Sequence, residues 1–132
     1  MTTLDIIRTE VTSPSVPAPR GHFSHAVTAG DFVYVSGLLA LDDTGAILHP
    51  GDIQAQTTTI LEALESILET AGSCPNHLIR LTVYVTDIHQ RAAVSALRAK
   101  RWPGVRPAST LVEVSALAAE GAVIEIDAVA IH

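Results

Sequence analysis

The sequence predicts a two-layer α+β sandwich, a mixed β-sheet with two helices on one face. Three observations carry that prediction. Strand-like and helix-like apolar patterns follow one another in the order strand, strand, helix, strand, helix, strand, strand. The segment 53–71 keeps its apolar residues at helical spacing over several turns. The last quarter of the chain, 107–114 and 123–130, runs or alternates apolar at strand length.

Taken in order, residues 11–22 hold three prolines and read as a loop. A strand around Ala26–Ala29 turns at Gly30-Asp31 into Phe32-Val33-Tyr34-Val35-Ser36-Gly37, which is rich in aromatic and β-branched residues. Asp42-Asp43-Thr44-Gly45 is a further turn. In the first helix Ile53, Thr57, Ile60, Leu61, Leu64, Ile67, Leu68 and Ala71 share one stripe, with Asp52 as N-cap and Gly72 just past the C-terminus. Leu78 to Val85 reads as a strand with Ile79, Leu81, Val83 and Val85 on one face. Asp87 and Gln90 resemble a capping box opening a second helix to about Arg101, which Pro103-Gly104 stops. Strands around 109–115 and 122–130 complete the chain.

Composition narrows the function. The 132 residues suit one domain, spanning 1–132, and 48% apolar content is enough for a core. No window approaches the roughly 20 apolar residues of a membrane span. Met1-Thr2-Thr3-Leu4-Asp5 lacks the basic and apolar regions of a secretory signal, so the cytoplasm is the expected compartment and no membrane partner is expected. Cys74 is alone, which excludes an internal disulfide and a cysteine-based metal site. A formal net charge of −6 argues against a nucleic-acid partner, whose phosphates need basic clusters. One further inference concerns assembly. Phe32/Tyr34 and Val33/Val35 make a strand apolar on both faces, yet two helices cover only one, so a symmetric oligomer is expected over the other.

Within the last strand, Glu125 sits between Ile124 and Ile126 and must point to the face opposite them. One face packs while the other presents an acid, and a charge inside a strand is costly unless paired or used.

Taken together, the chain resembles the Rid family, the YjgF-type reactive-intermediate (imine) deaminases. Gly21-His22-Phe23-Ser24-His25-Ala26 is similar to that family's Gly-Pro-Tyr-Ser-Gln-Ala. Val33-Tyr34-Val35-Ser36-Gly37, Gly51-Asp52-Ile53-Gln54-Ala55-Gln56-Thr57 and Leu81-Thr82-Val83-Tyr84-Val85-Thr86-Asp87 match its strand, helix start and middle strand. Pro107-Ala108, Val112-Glu113-Val114 and Glu125-Ile126-Asp127-Ala128-Val129-Ala130 complete the pattern, in order, from about 21 to 130. The resemblance implies a chorismate-mutase-like fold, a homotrimer with ligand clefts between subunits, and hydrolysis of small enamines or imines to keto acids and ammonia without metal or organic cofactor. It also implies that Glu125 helps orient the attacking water and that Ser36 and Gly37 lie near the ligand.

Departures from the pattern bear on substrate. The family's active deaminases read Pro-Ala-Arg-Ser, where the arginine clamps a substrate carboxylate, a task suited to a bidentate guanidinium. Ser109 occupies that position here, Phe23 replaces the tyrosine, and Ser95 and Arg98 fall at a helix asparagine and tyrosine. Ser109 and Thr110 could hydrogen-bond a neutral or amide-bearing ligand. Arg106, three residues before Ser109, and Arg20 are candidate substitute clamps, whereas Arg98 and Arg101 read as a solvated helix face. His22 and His25 add acid/base groups beside the expected cleft, but residues three apart in a strand face opposite ways, which argues against a shared metal site. The candidate site is therefore Glu125, His25 and His22 for catalysis and Phe23, Ser36, Gly37, Ser109, Thr110 and Arg106 for the substrate, with no metal. Two functional readings follow. One is a divergent Rid-type hydrolase acting on a small imine, enamine or related C–N metabolite. The other is a non-catalytic small-ligand-binding or regulatory trimer with the same cleft.

Overall fold

The computed structural model describes residues 7–132, so the Met1–Asp5 reading lies outside the described residues. Six strands form one sheet in the order β1-β2-β3-β6-β4-β5. They span β1 Arg8–Val11, β2 Ala26–Ala29, β3 Phe32–Leu38, β4 Leu78–Val85, β5 Ala108–Glu113 and β6 Ile124–Ile131, with helices α1 Ile53–Thr70 and α2 Arg91–Arg101. All neighbours pair antiparallel except β4 and β5, which are parallel and joined through α2, so the sheet is mixed. Strand β1 is an element the sequence pattern did not predict. Only Val11 of its residues is buried, so a backbone ladder to β2, not an apolar face, holds it.

Burial separates the two faces. Val33, Val35, Leu81, Val83, Val85, Ile124, Ile126, Ala128 and Ala130 are buried in one core with Ile60, Leu61, Leu64, Ile67 and Leu68 of α1. That is the helical stripe expected from sequence. Asp52 caps α1, its carboxylate accepting the Ala55 N–H at 3.1 Å. At the other end Ser73 N–H reaches Leu68 C=O and Gly72 N–H reaches Glu69 C=O, with Gly72 at φ 81°, a Schellman stop. The second helix begins differently from expectation. The Asp87 carboxylate accepts from His89 N–H and caps a 3-10 turn, Ile88–Gln90, and α2 proper starts at Arg91. Two ties link the helices: Glu65 accepts two N–H bonds from Arg101, at 2.7 and 3.0 Å, and one from the Trp102 indole at 2.6 Å.

Two register shifts matter for the face that α1 and α2 leave open. On β4 the shift falls between Leu78 and Arg80 and leaves Ile79 as the extra residue. Leu78 therefore takes the buried side and Ile79 is 39% exposed, which corrects the strict alternation expected from sequence. On β3 the shift falls between Val35 and Leu38, so Ser36-Gly37 form a bulge against β6. The open face carries Phe32, Tyr34, Val112 and Ile131, all exposed, beside Tyr84, Glu125 and Asp127.

Candidate functional site

The bulge at Ser36-Gly37 brings the chain against Glu125. Glu125 pairs with Tyr84 on β4, flanked on the opposite face by the fully buried Ile124 and Ile126. Its carboxyl group lies over Gly37, where an ideal Cβ would be 2.8 Å from Oε2 and 2.9 Å from Cδ. Any side chain there would displace the acid. Ser36 is fixed in turn: its hydroxyl donates to Ser24 C=O at 2.6 Å and its N–H to His25 C=O at 3.0 Å.

These residues line a cavity of about 620 Å³ between the 16–25 loop, β3, the 38–45 segment and α1. Phe23, His25, Ser36, Gly37 and Glu125 all line it, so five of the nine sequence candidates meet in one place. Most of the remaining wall is apolar, including Val16, Leu38, Leu41 and Ala63. Phe23 is 54% exposed and its ring packs against Gly21, where a Cβ would lie 2.7 Å from a ring carbon. Burial raises the Glu125 carboxyl above its ordinary range, and the neighbouring Asp127 charge adds to the effect. Asp127 itself accepts the Tyr84 hydroxyl at 2.8 Å, an interaction that holds the tyrosine in its phenol form. A half-buried carboxyl with a raised pKa is a stronger base once ionised than an exposed one.

His25 is placed otherwise than an acid/base group requires. It is 3% exposed, and both ring nitrogens are engaged with backbone. Ser13 N–H donates to Nδ1 at 3.0 Å, which makes Nδ1 an acceptor and assigns the proton to Nε2, 2.8 Å from Pro17 C=O. The imidazole thus pins the 13–17 segment that walls the cavity. His22 is exposed and outside the cavity lining.

Ser109 and Thr110 lie elsewhere in the subunit. On the edge strand β5, Ser109 registers with the buried Leu81 and Thr110 with Thr82, so the two face opposite sides of the sheet. Ser109 Oγ accepts from Arg98 at 2.9 Å, and Thr110 Oγ1 accepts from Arg80 at 2.5 Å. Arg98 is thus not the solvated residue expected. Burial lowers its pKa, and among the described residues no carboxylate pairs with it. Arg106 is exposed. None of these residues lines the Glu125 cavity, and β4 stands between β5 and Glu125. Sequence reasoning did not single out the Tyr84–Asp127 pair. The signal was there in the same-face alternation of Glu125 and Asp127, but the partner tyrosine comes from 43 residues away in sequence.

A mixed sheet with two helices on one face, carrying an apolar-walled cavity with a raised-pKa carboxyl, defines a small-molecule-binding α+β domain. The chain belongs to the YjgF/Rid family: the family model described as Endoribonuclease L-PSP matches residues 13–132. A RutC family protein of Pyrococcus horikoshii is 36% identical over 116 residues, 88% of this chain and 91% of that protein. Protein DfrA of Myxococcus xanthus is 33% identical over 94% of this chain and 95% of its own. Among solved structures, the Rid-family protein YyfA of Yersinia pestis superposes with a TM-score of 0.89 at 29% identity, covering 96% of this chain and 100% of that one. The E. coli YjgF gene product gives 0.85 at 27% identity, covering 94% and 98%. The fold is therefore the chorismate-mutase-like one of this family, and membership supports a small-metabolite deaminase or binding role.

Proposed function

We propose that this chain hydrolyses the C=N bond of a small imine, or of an enamine after tautomerisation, to a carbonyl compound and ammonia. The observation that carries the reading is the Glu125 carboxyl, half-buried beside an apolar cavity and seated over Gly37. Water held by ionised Glu125 gives it a proton while adding to the imine carbon. With the imine entering protonated on nitrogen, this gives a neutral carbinolamine; Glu125 returns the proton to that nitrogen, ammonia leaves with the C–N bonding pair, and the hydroxyl proton passes to the Glu125 carboxylate as the C=O group forms. The cavity itself supplies an apolar wall and the bulged Ser36-Gly37 backbone at the ligand. His25 supports the cavity wall and not the proton transfer, because its two nitrogens are already committed.

The working unit in this reading is a homotrimer. Support comes from the exposed apolar side chains Phe32, Tyr34, Val112 and Ile131 and from β5, an edge strand without a buried residue. Ser109 and Thr110, remote from Glu125 within one subunit, would then serve a neighbour's cavity. Light scattering should return about three times the 13.9 kDa chain mass, and a stable monomer would contradict it. A net charge of −6 supports a metabolite over an RNA substrate.

The alternative is a non-catalytic binder, favoured by the absence of an arginine at Ser109. Turnover separates the two. An imine formed in situ by an amino-acid oxidase should release ammonia faster with the protein than without it. Saturable binding with no acceleration, across carboxylated and neutral imines, would favour the binder.

A further inference from the structure

Most polar side chains in the wall of the Glu125 cavity are spent on the protein itself. Ser36 Oγ donates to Ser24 C=O, the His25 nitrogens are bonded to Ser13 N–H and Pro17 C=O, and Thr44 Oγ1 donates to the Asp42 carboxylate. Arg20 is exposed and docked on its own chain. Its Nη2 donates to Asp43 C=O at 2.8 Å, and its guanidinium lies across Gly45, where an ideal Cβ would be 2.7 Å from Cζ. Among the described residues, the wall side chains that keep polar atoms for a ligand are Glu125, Thr59 and, through its remaining donors, Arg20. The rest of the wall is apolar, with Val16, Phe23, Leu38, Leu39, Leu41 and Ala63 supplied by both layers of one chain. Thr59 and Ala63 are small residues one turn apart on α1, and they keep the helix side of the cavity open.

Size points the same way. A volume of about 620 Å³ falls within the roughly 300–1,000 Å³ of sites that take drug-sized ligands. The imine of pyruvate has about six heavy atoms and, at about 30 Å³ for each as in liquid water, fills about 180 Å³, less than a third of the cavity. The space left over is walled by groups that offer water few hydrogen bonds. We propose that the cavity selects an imine or enamine with an extended apolar body, an alkyl or aryl group of about six to ten carbon atoms, the size that the unfilled volume allows. That body lies along Leu38, Leu41 and Ala63, and the C=N carbon sits at Glu125. The placement of the C=N carbon rests on the hydrolase reading above, whereas the apolar site does not.

The test is binding of an uncharged homologous series, 2-butanone, 2-hexanone and 2-octanone, the products of the corresponding imines. It is measured on the full-length protein, following the amide signals of Gly37, Leu41 and Ala63 by NMR. In wild type each added methylene should tighten binding about two- to fourfold, so that 2-octanone binds about 16-fold or more tighter than 2-butanone. That gain along the series is the readout. Ala63→Phe fills the helix side of the cavity and should cut the gain to about threefold or less. Leu41→Ala only removes wall atoms, so it serves even if the larger side chain prevents folding, and it should shrink the gain at least about threefold. No gain in wild type, a gain undiminished by these variants, or signals that move at Phe32 and Tyr34 of the open face and not in the cavity would overturn the proposal. If the gain follows the cavity residues but no imine is turned over, the apolar site stands and the hydrolase reading fails alone. If imines are turned over with no gain from a longer body, this proposal fails alone.

Discussion

The carboxyl group of Glu125 occupies the volume that a side chain on Gly37 would need: an ideal Cβ there would lie 2.8 Å from Oε2. The contact joins a bulge in β3 to an acid in β6, so a side chain added at Gly37 would have to move the acid. A strand glycine usually marks such a close approach, and here the approaching group is the candidate base.

Gly37→Ala should therefore act on chemistry more than on folding. The clashing atoms are the far end of a flexible side chain, which can swing away while the β3–β6 ladder stays paired. Turnover should fall about 10- to 100-fold, the scale of an ångström-sized misplacement of a reacting group. Steady-state kinetics beside a thermal melt checks it. A melting loss that accounts for the lost activity would show that Gly37 serves folding instead.

Glu125 should also leave a mark on stability that depends on pH. Its folded pKa is raised above the ordinary 4.5 by burial and by Asp127, so ionisation costs the folded state more than the unfolded one. Below the unfolded pKa both states hold the neutral acid, and wild type and Glu125→Gln should melt together. As pH rises through the raised folded value, wild type should lose stability relative to the glutamine variant. Melting curves at pH 4 and pH 8 suffice, and a variant less stable at pH 8 would mean that the ionised carboxylate is held by favourable contacts.

His25 should behave as a structural tie. His25→Ala strands the buried Ser13 N–H and the Pro17 carbonyl and empties a buried volume, at a cost of about 2–4 kcal/mol. His25→Gln can donate to one group and accept from the other. Measured well below its melting point, it should turn over substrate within about threefold of wild type, whereas loss of a general acid or base costs about 10²-fold or more.

The fold was legible in the sequence because its elements are set by local rules. Asp52 and Gly72 bound the first helix, the 3.6-residue stripe fills it, and Ile124-Glu125-Ile126 assigns the faces of the last strand. Strand β1 was not legible, since a short exposed edge strand has no apolar period. Ile79 was misplaced because a bulge breaks the alternation on which such a reading rests. The site was half legible. Glu125, Ser36 and Gly37 stood out by alternation and motif. The commitment of both His25 nitrogens, the docking of Arg20 on Asp43 and Gly45 and the Arg98–Ser109 bond join residues 8 to 25 positions apart, which only the fold brings together.

The most direct test of the account is the turnover of Glu125→Gln on an imine that wild type hydrolyses, with ammonia release as the readout and assembly checked by light scattering. The change keeps the shape of the side chain and removes its capacity to accept a water proton. The account predicts an intact assembly, substrate affinity altered little, and kcat lowered about 10²-fold or more. An unchanged kcat in an intact assembly would contradict it and reduce Glu125 to a carboxylate that merely lines the cavity.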